Sequence, residues 1–203
     1  MRITEHSLSQ FESKFVVLQP ANAWTAVVRG AVLSSLEGKM VHSRKARRHY
    51  GIKVCSKYDE DIHSEQNKYW DVHEEEFKAT NQISWHVQRG DDLPTETPVL
   101  LGFYRTWNFH DTVPEYTNIS IIVSDAIEAP DEYEQDTDTR VLCKLKVNLG
   151  SVERKHFREH INSTGIRYRS LTYKIGLSVR SGAIIFDLRV GGVVLGSVKA
   201  DFE

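Results

Sequence analysis

The residues whose types and spacing come closest to chemistry are His156-Phe157-Arg158-Glu159-His160, which match the H-x-x-E-H pattern of inverted zinc peptidases. On a helix this spacing sets both imidazoles on one face, with the carboxylate beside them as a base. A catalytic zinc also needs a third protein ligand, normally on a following helix, and the residues after His160 read as strands. The expectation is a charged surface helical turn and no metal. His73 with Glu74, Glu75 and Glu76 offers hard ligands, but no spaced second set accompanies them, so a solvated loop is expected. Ser43-Arg44-Lys45-Ala46-Arg47-Arg48 could be a localisation signal or a phosphate patch. The favoured reading is a linker whose arginines pair with carboxylates of the neighbouring domain. Cys55 and Cys143 sit in strand patterns, where a thiol behaves as a small hydrophobe. Neither G-x-G-x-x-G nor G-x-x-x-x-G-K-[ST] occurs, and the late glycines precede no helix. No catalytic, cofactor-binding or metal-ligating residue is therefore assigned.

The elements that must position such residues are mostly strands. Phe15–Gln19 is a short β-rich run stopped by Pro20. Asn22 is placed to cap a helix opening at Ala23, with Val27, Val28, Ala31, Val32 and Leu36 on helical spacing and Gly38 as its stop. Strands are then expected near Arg48–Ser56, Ile83–Arg89, Val99–Trp107, Asn118–Ser124, Val141–Leu149, Leu171–Val179, Ala183–Val190 and Val193–Phe202. Tyr173 to Val179 alternates with the period of a half-buried strand. Ser181-Gly182 and Gly191-Gly192 are hairpin dipeptides that join the last three strands. About eight short strands with turn signals suggest a β-sandwich. Residues 57–82 read as a long polar loop, functional or mobile. The seven carboxylates from Asp125 to Asp138 read as a solvated hairpin tip. The aromatics Phe103, Tyr104, Trp107 and Phe109, with Trp70 and Trp85, are expected mainly in the core, with a groove as the other option.

Composition bounds the function. Apolar residues make up 40% and charged residues 27%, a globular mix. A net charge of -2 favours neither nucleic acid nor an anionic membrane as a partner. Two cysteines are too few for a disulfide framework and fit a reducing compartment. The amino-terminal residues carry charges throughout and have no apolar segment like that of a signal peptide. A cytoplasmic location is expected, and the sequons at Asn118 and Asn162 carry no meaning there.

One resemblance runs through nearly the whole chain from about Phe15. Ala26-Val27-Val28-Arg29-Gly30-Ala31-Val32-Leu33 resembles the A-V-x-x-G-A helix that closes the ATPase domain of the 70-kDa heat-shock chaperone family. Val41 to Ile52 looks like the start of the β domain in the divergent heat-shock 70 kDa protein 12 branch, of the kind abundant in filamentous fungi. Trp85 to Pro94 is similar to that family's strand and x-x-[IL]-P turn, and Tyr173–Val179 with Ser181–Leu188 resembles its late hairpin. The resemblance implies a remnant of an actin-like ATPase domain over residues 1–40. Over residues 41–203 it implies a β-sandwich resembling the substrate-binding β domain, which holds extended peptides.

The departures are specific. The phosphate turns and adenosine turn of the family are absent, and Ala23, Trp24 and Thr25 stand where its helix begins with P-D-E. A basic stretch replaces the acidic interdomain linker, and no helical lid follows Phe202. The resemblance thus implies a non-catalytic, chaperone-like interaction module without a cofactor, although full-length relatives use ATP. Its partner would be an extended polypeptide or another protein, captured by strand addition or in an apolar pocket. Val99, Leu101, Phe103, Ile119 and Ile121 are the residues expected at that surface. The alternatives are a fragment of a longer ATP-dependent ATPase and an inactive structural remnant.

Overall fold

The computed structural model describes residues 2–6, 15–19, 23–36, 43–94, 97–134, 138–180 and 183–201. Pro20, Asn22, Gly38, Ser181-Gly182 and Phe202, to which the sequence assigned stops, caps, turns or strand ends, lie outside the described residues, as does Val41, where the resemblance begins the β domain. The chain divides into two compact units, Met1–His42 and Ser43–Glu203. In the first, β1 (Arg2–His6) pairs antiparallel with β2 (Phe15–Gln19), and a 3-10 turn at Ala23–Thr25 runs into α1 (Ala26–Leu36).

The second unit is mainly β. Its strands are β3 (Ser43–Lys45), β4 (His49–Lys57), β5 (Lys68–Asp71), β6 (Glu76–Val87), β7 (Asp92–Pro94), β8 (Val99–Asn108), β9 (Tyr116–Ser124), β10 (Thr139–Asn148), β11 (Phe157–Ile161), β12 (Arg167–Arg180), β13 (Ala183–Val190) and β14 (Val193–Asp201). One antiparallel sheet has the order β10-β9-β4-β6-β5. In the other, β8 takes one edge of the long β12 over Tyr168–Leu177. The opposite edge is shared by β11, over Arg167–Leu171, and β13, over Lys174–Arg180, with β14 beyond β13. A short β3–β7 ladder stands apart.

Alternation builds the core between the sheets. Ile52, Ile121, Val123, Leu145 and Val147 of the first sheet share one cluster with Leu171, Ile175, Leu177, Ile184, Phe186 and Leu188 of the second, all nearly or fully buried. At one margin β14 crosses β10 so closely that a Cβ on Gly196 would overlap the Lys146 carbonyl, and only glycine fits there. The β13–β14 turn uses Gly191 and Gly192 at φ 56° and 88°, the positive angles such hairpin turns require.

Three expectations are corrected. Residues 57–82 are not one long loop: only 58–67 are irregular, with a 3-10 turn at Glu65–Asn67, after which Lys68–Asp71 and Glu76–Ala79 form a hairpin and β6 continues to Val87. The acidic segment is no free tip, because the Asp131 backbone carbonyl accepts from the Ile83 amide, the Tyr133 backbone N–H donates to the Asn81 carbonyl, and the Trp85 indole donates to the Pro130 carbonyl at 2.8 Å. Within it, Glu132 accepts from Ser64 N–H, Asn67 and Gln82, which hold its carboxyl below the usual range. The basic stretch does find carboxylates, but in its own unit: Lys45 meets Asp92 at 3.1 Å, and Arg48 with Arg140 brackets Asp125.

Candidate functional site

The first sheet is split at one end. β4 and β9 pair over His49–Ile52 against Ser124–Ile121 and then part. Beyond the Ile52–Ile121 pair, β4 bonds only β6, and Tyr116–Ser120 of β9 bond only β10. Two facing strand edges are thus left without a ladder, Lys53–Lys57 and Tyr116–Ser120, each roughly 17 Å long at the rise of a strand.

The cause lies in β6. Tyr50 pairs with Val87 but Gly51 with Trp85, so β6 carries an extra residue there. It carries a second near Asn81, because Val54 pairs with Gln82 and Ser56 with Ala79. Asn81 takes φ 61°, a left-handed angle that asparagine tolerates better than other side chains. Bulges of this kind bend a strand and increase its twist, which carries the β4–β6 ribbon away from β9. Gly51 is required at the first bulge, since a Cβ would stand 2.6 Å from the Ser84 carbonyl and 2.8 Å from the Trp85 ring.

A cleft of about 720 Å³ opens at this fork and runs between the sheets. Ile52, Val54, Phe103, Ile119 and Tyr173 supply its apolar wall, and Lys53, Cys55, Arg105, Asn118 and Ser120 its polar one. Phe103 and Tyr173 are cross-strand partners with rings 6.2 Å apart, and burial pushes the Tyr173 phenol up. Burial also raises Tyr69, aided by a hydrogen bond to Cys55. Cys55 itself is exposed, not the small core residue the strand pattern suggested.

The far end of the cleft is charged. Lys78 Nζ lies 2.7 Å from Glu74 and 3.0 Å from Asp71. Burial alone would lower the Lys78 ammonium, but the two carboxylates hold it well above its ordinary value. Burial likewise opposes the Asp71 charge, yet Lys78 and the Glu74 and His73 amides keep that carboxyl below its usual range. Tyr104 Oη donates to Glu74 at 2.9 Å. The β5–β6 turn is then tied to the second sheet. His73 bridges Thr106 and Asn108 at 3.1 and 2.9 Å and stacks on Tyr168, Asn162 donates to the Val72 carbonyl, and Ser163 donates to Glu75. His73 is thus a clamp between sheets and not part of a free loop.

Of the five residues expected at a peptide surface, Phe103 and Ile119 line the cleft. Val99 packs on the core, Leu101 is half-buried nearby, and Ile121 is fully buried, which leaves it no surface to offer. Of the other aromatics only Tyr104 lines the cleft, while Trp107 packs on the core and Phe109 lies under Arg167. Among the cleft residues that pattern reading missed are Lys53, Arg105 and Lys78, whose solvent-facing or polar strand positions carry no signal of their own.

The H-x-x-E-H stretch is not helical. His156 ends a one-turn 3-10 segment, and Phe157–Ile161 is β11, so its two histidines are separated by roughly 13 Å of strand, too far to share a zinc ion. His160 instead bonds Ser170 Oγ at 2.9 Å. Among the described residues no cluster of three or more His, Cys, Asp or Glu could hold a metal.

The family model described as Domain of unknown function (DUF8568) matches residues 44–193, most of the chain. The chain belongs to that family. The DUF8568 match begins inside β3 and ends at the start of β14, so it contains the fork, the cleft and the clamp. No curated protein and no solved structure matches the chain. Among the described residues no helix is long and apolar enough to cross a membrane.

Proposed function

We propose that the protein is a non-catalytic interaction module that captures an extended polypeptide segment by strand addition in the fork between β4 and β9. The fork itself carries this reading. Unpaired strand edges present rows of N–H and C=O groups, which are a template for another strand, and proteins ordinarily cover or charge such edges unless they use them. Here the two edges face each other beside an apolar wall of Ile52, Val54, Phe103, Ile119 and Tyr173. Backbone pairing would supply affinity, and the wall would accept every second side chain. The resemblance to the β domain of the 70-kDa heat-shock family supports the same ligand class, and a chaperone-like role in the cytoplasm is part of this proposal.

The test is fluorescence anisotropy with labelled extended peptides of five to eight residues. Saturable binding in the micromolar range is expected. Gly102 lines the cleft, and nothing stands within 4 Å of where its Cβ would lie, so Gly102→Trp narrows the cleft without a clash. That variant, and Phe103→Ala, should weaken binding at least tenfold with little change in melting temperature for the former. No binding at high micromolar peptide, or binding indifferent to both substitutions, defeats the reading.

A further inference from the structure

Together, the two strands of the fork, and β10 beside β9, carry basic residues and no acidic residue of their own. Their lysines and arginines are Lys53, Lys57, Arg140, Lys144 and Lys146. Lys57 and Arg140 have carboxylate partners, Glu76 and Asp125. Lys53, Lys144 and Lys146 have none within ion-pair distance among the described residues. Lys53 and Lys146 only approach the rings of Tyr133 and Tyr116, at 5.1 and 4.6 Å. Such a concentration of one sign stands out in a chain whose net charge is -2.

Register places these three lysines on one face. Ser120 pairs with Lys144 and Asn118 with Lys146, and paired residues point the same way. Their neighbours Leu145 and Val147 are fully buried, so the lysines face outward. On β4, Ile52 is buried opposite Ile121, and Lys53, one step on, is exposed on the outward side. A strand lying in the fork would therefore alternate between two environments. One set of its side chains would meet the apolar wall, and the other would emerge between Lys53 and the Lys144–Lys146 pair.

We infer that the occupant of the fork is an extended polypeptide segment in which apolar and acidic residues alternate. The inference rests on the strand-addition reading and names the chemistry of its ligand. Two-residue periodicity turns a composition preference into an order preference: the same residues arranged as an acidic block and an apolar block cannot satisfy both faces. An apolar wall on one side also favours a peptide over a nucleic acid, whose backbone charge needs no such alternation.

The experiment measures anisotropy at low and at physiological salt for four labelled octapeptides: alternating Leu/Glu, alternating Leu/Gln, alternating Leu/Lys, and a blocked Leu/Glu peptide of identical composition. A single-stranded oligonucleotide of eight nucleotides is the fifth probe. The alternating Leu/Glu peptide should bind at least tenfold tighter than the Leu/Lys and blocked peptides, with an advantage that shrinks as salt rises. The Lys53→Gln/Lys144→Gln/Lys146→Gln variant, altered only at exposed positions, should bring Leu/Glu to the level of Leu/Gln, and Lys→Glu at the same sites should reverse the order. Equal binding of the alternating Leu/Glu, Leu/Gln and Leu/Lys peptides, still weakened by Gly102→Trp, would refute the charge inference while leaving the strand-addition reading intact. Loss of all peptide binding removes both. An oligonucleotide that binds tighter than every peptide and is released by the triple variant overturns the inference in favour of a nucleic-acid surface.

Discussion

Lys78 and His86 show how single residues of β6 are made tolerable in a buried strand. Lys78 is 7% exposed and sits between two carboxylates. Removing one partner of a buried ion pair leaves the other charge unpaired, which costs about 3 kcal/mol or more. Lys78→Met should therefore lower the urea midpoint at neutral pH with an unchanged m value. Its deficit should shrink in acid as Asp71 becomes neutral, whereas a deficit constant across pH would mean that packing alone was lost. His86 is the converse case. Its Nε2–H donates to the Ile175 carbonyl at 3.3 Å, its ring lies against Phe103, and burial lowers its pKa from 6.5 to about 4. The unfolded ring takes up a proton below about pH 6.5, but the folded ring stays neutral until about pH 4. The contribution is thus whole above pH 6.5 and is lost as the pH falls through that window, about 3 kcal/mol in all. Urea midpoints against pH should show this decline in the wild type and a flatter curve in His86→Leu.

At the scale of elements, the second bulge of β6 decides whether the fork exists. Asn81 holds the left-handed angle of 61° and donates from Nδ2 to Asn67 Oδ1 at 2.8 Å. A β-branched side chain at that angle costs about 1–2 kcal/mol. Asn81→Val should lower stability by that amount and weaken peptide binding, because the chain relieves the strain by expelling the bulge and straightening β4 against β9. Hydrogen exchange supplies the check: newly protected amides within Lys53–Lys57 and Tyr116–Ser120 are expected in the variant, and stability loss without new protection would separate the bulge from the fork. The same element explains where pattern reading stopped. β6 begins Glu76-Phe77-Lys78-Ala79-Thr80-Asn81-Gln82, a polar run that reads as loop. It is a strand because Asp71, Glu74 and Glu132, distant or on the turn before it, satisfy its buried Lys78 and Gln82. β11 was hidden similarly, as Phe157-Arg158-Glu159-His160-Ile161 has strand length but a motif of helical pedigree.

At the scale of the molecule, every residue of the buried apolar cluster described falls between Ala46 and Val190, inside the second unit. Residues 43–203 should therefore fold without the first unit and melt in one cooperative transition, since both sheets close on a single cluster. Differential scanning calorimetry of that fragment checks it, and two separated transitions would mean that the sheets are independent layers. The DUF8568 match, residues 44–193, lies within the same unit.

Local order along the chain determined much of this molecule by itself. Tyr173 to Val179 alternates, and its odd positions Ile175, Leu177 and Val179 are buried on β12, while Gly191-Gly192 makes the turn its residue types demand. Periodicity of two and the need for positive φ are properties of neighbours in sequence, so mainly β structure and most strand positions are legible there. Alternation placed Ile119 and Ile121 on one face of β9 without telling that Ile119 lines the cleft and Ile121 is buried. The fork was not legible. It depends on which strand lies beside β4, on where pairing stops at Ile52 and Ile121, and on two extra residues in β6. Those are relations between segments far apart in the chain, and only tertiary packing decides them. Lys53, Lys144 and Lys146 are ordinary outward-facing lysines in sequence; their shared face, and with it the chemistry proposed for the ligand, comes from the register that sets three strands side by side.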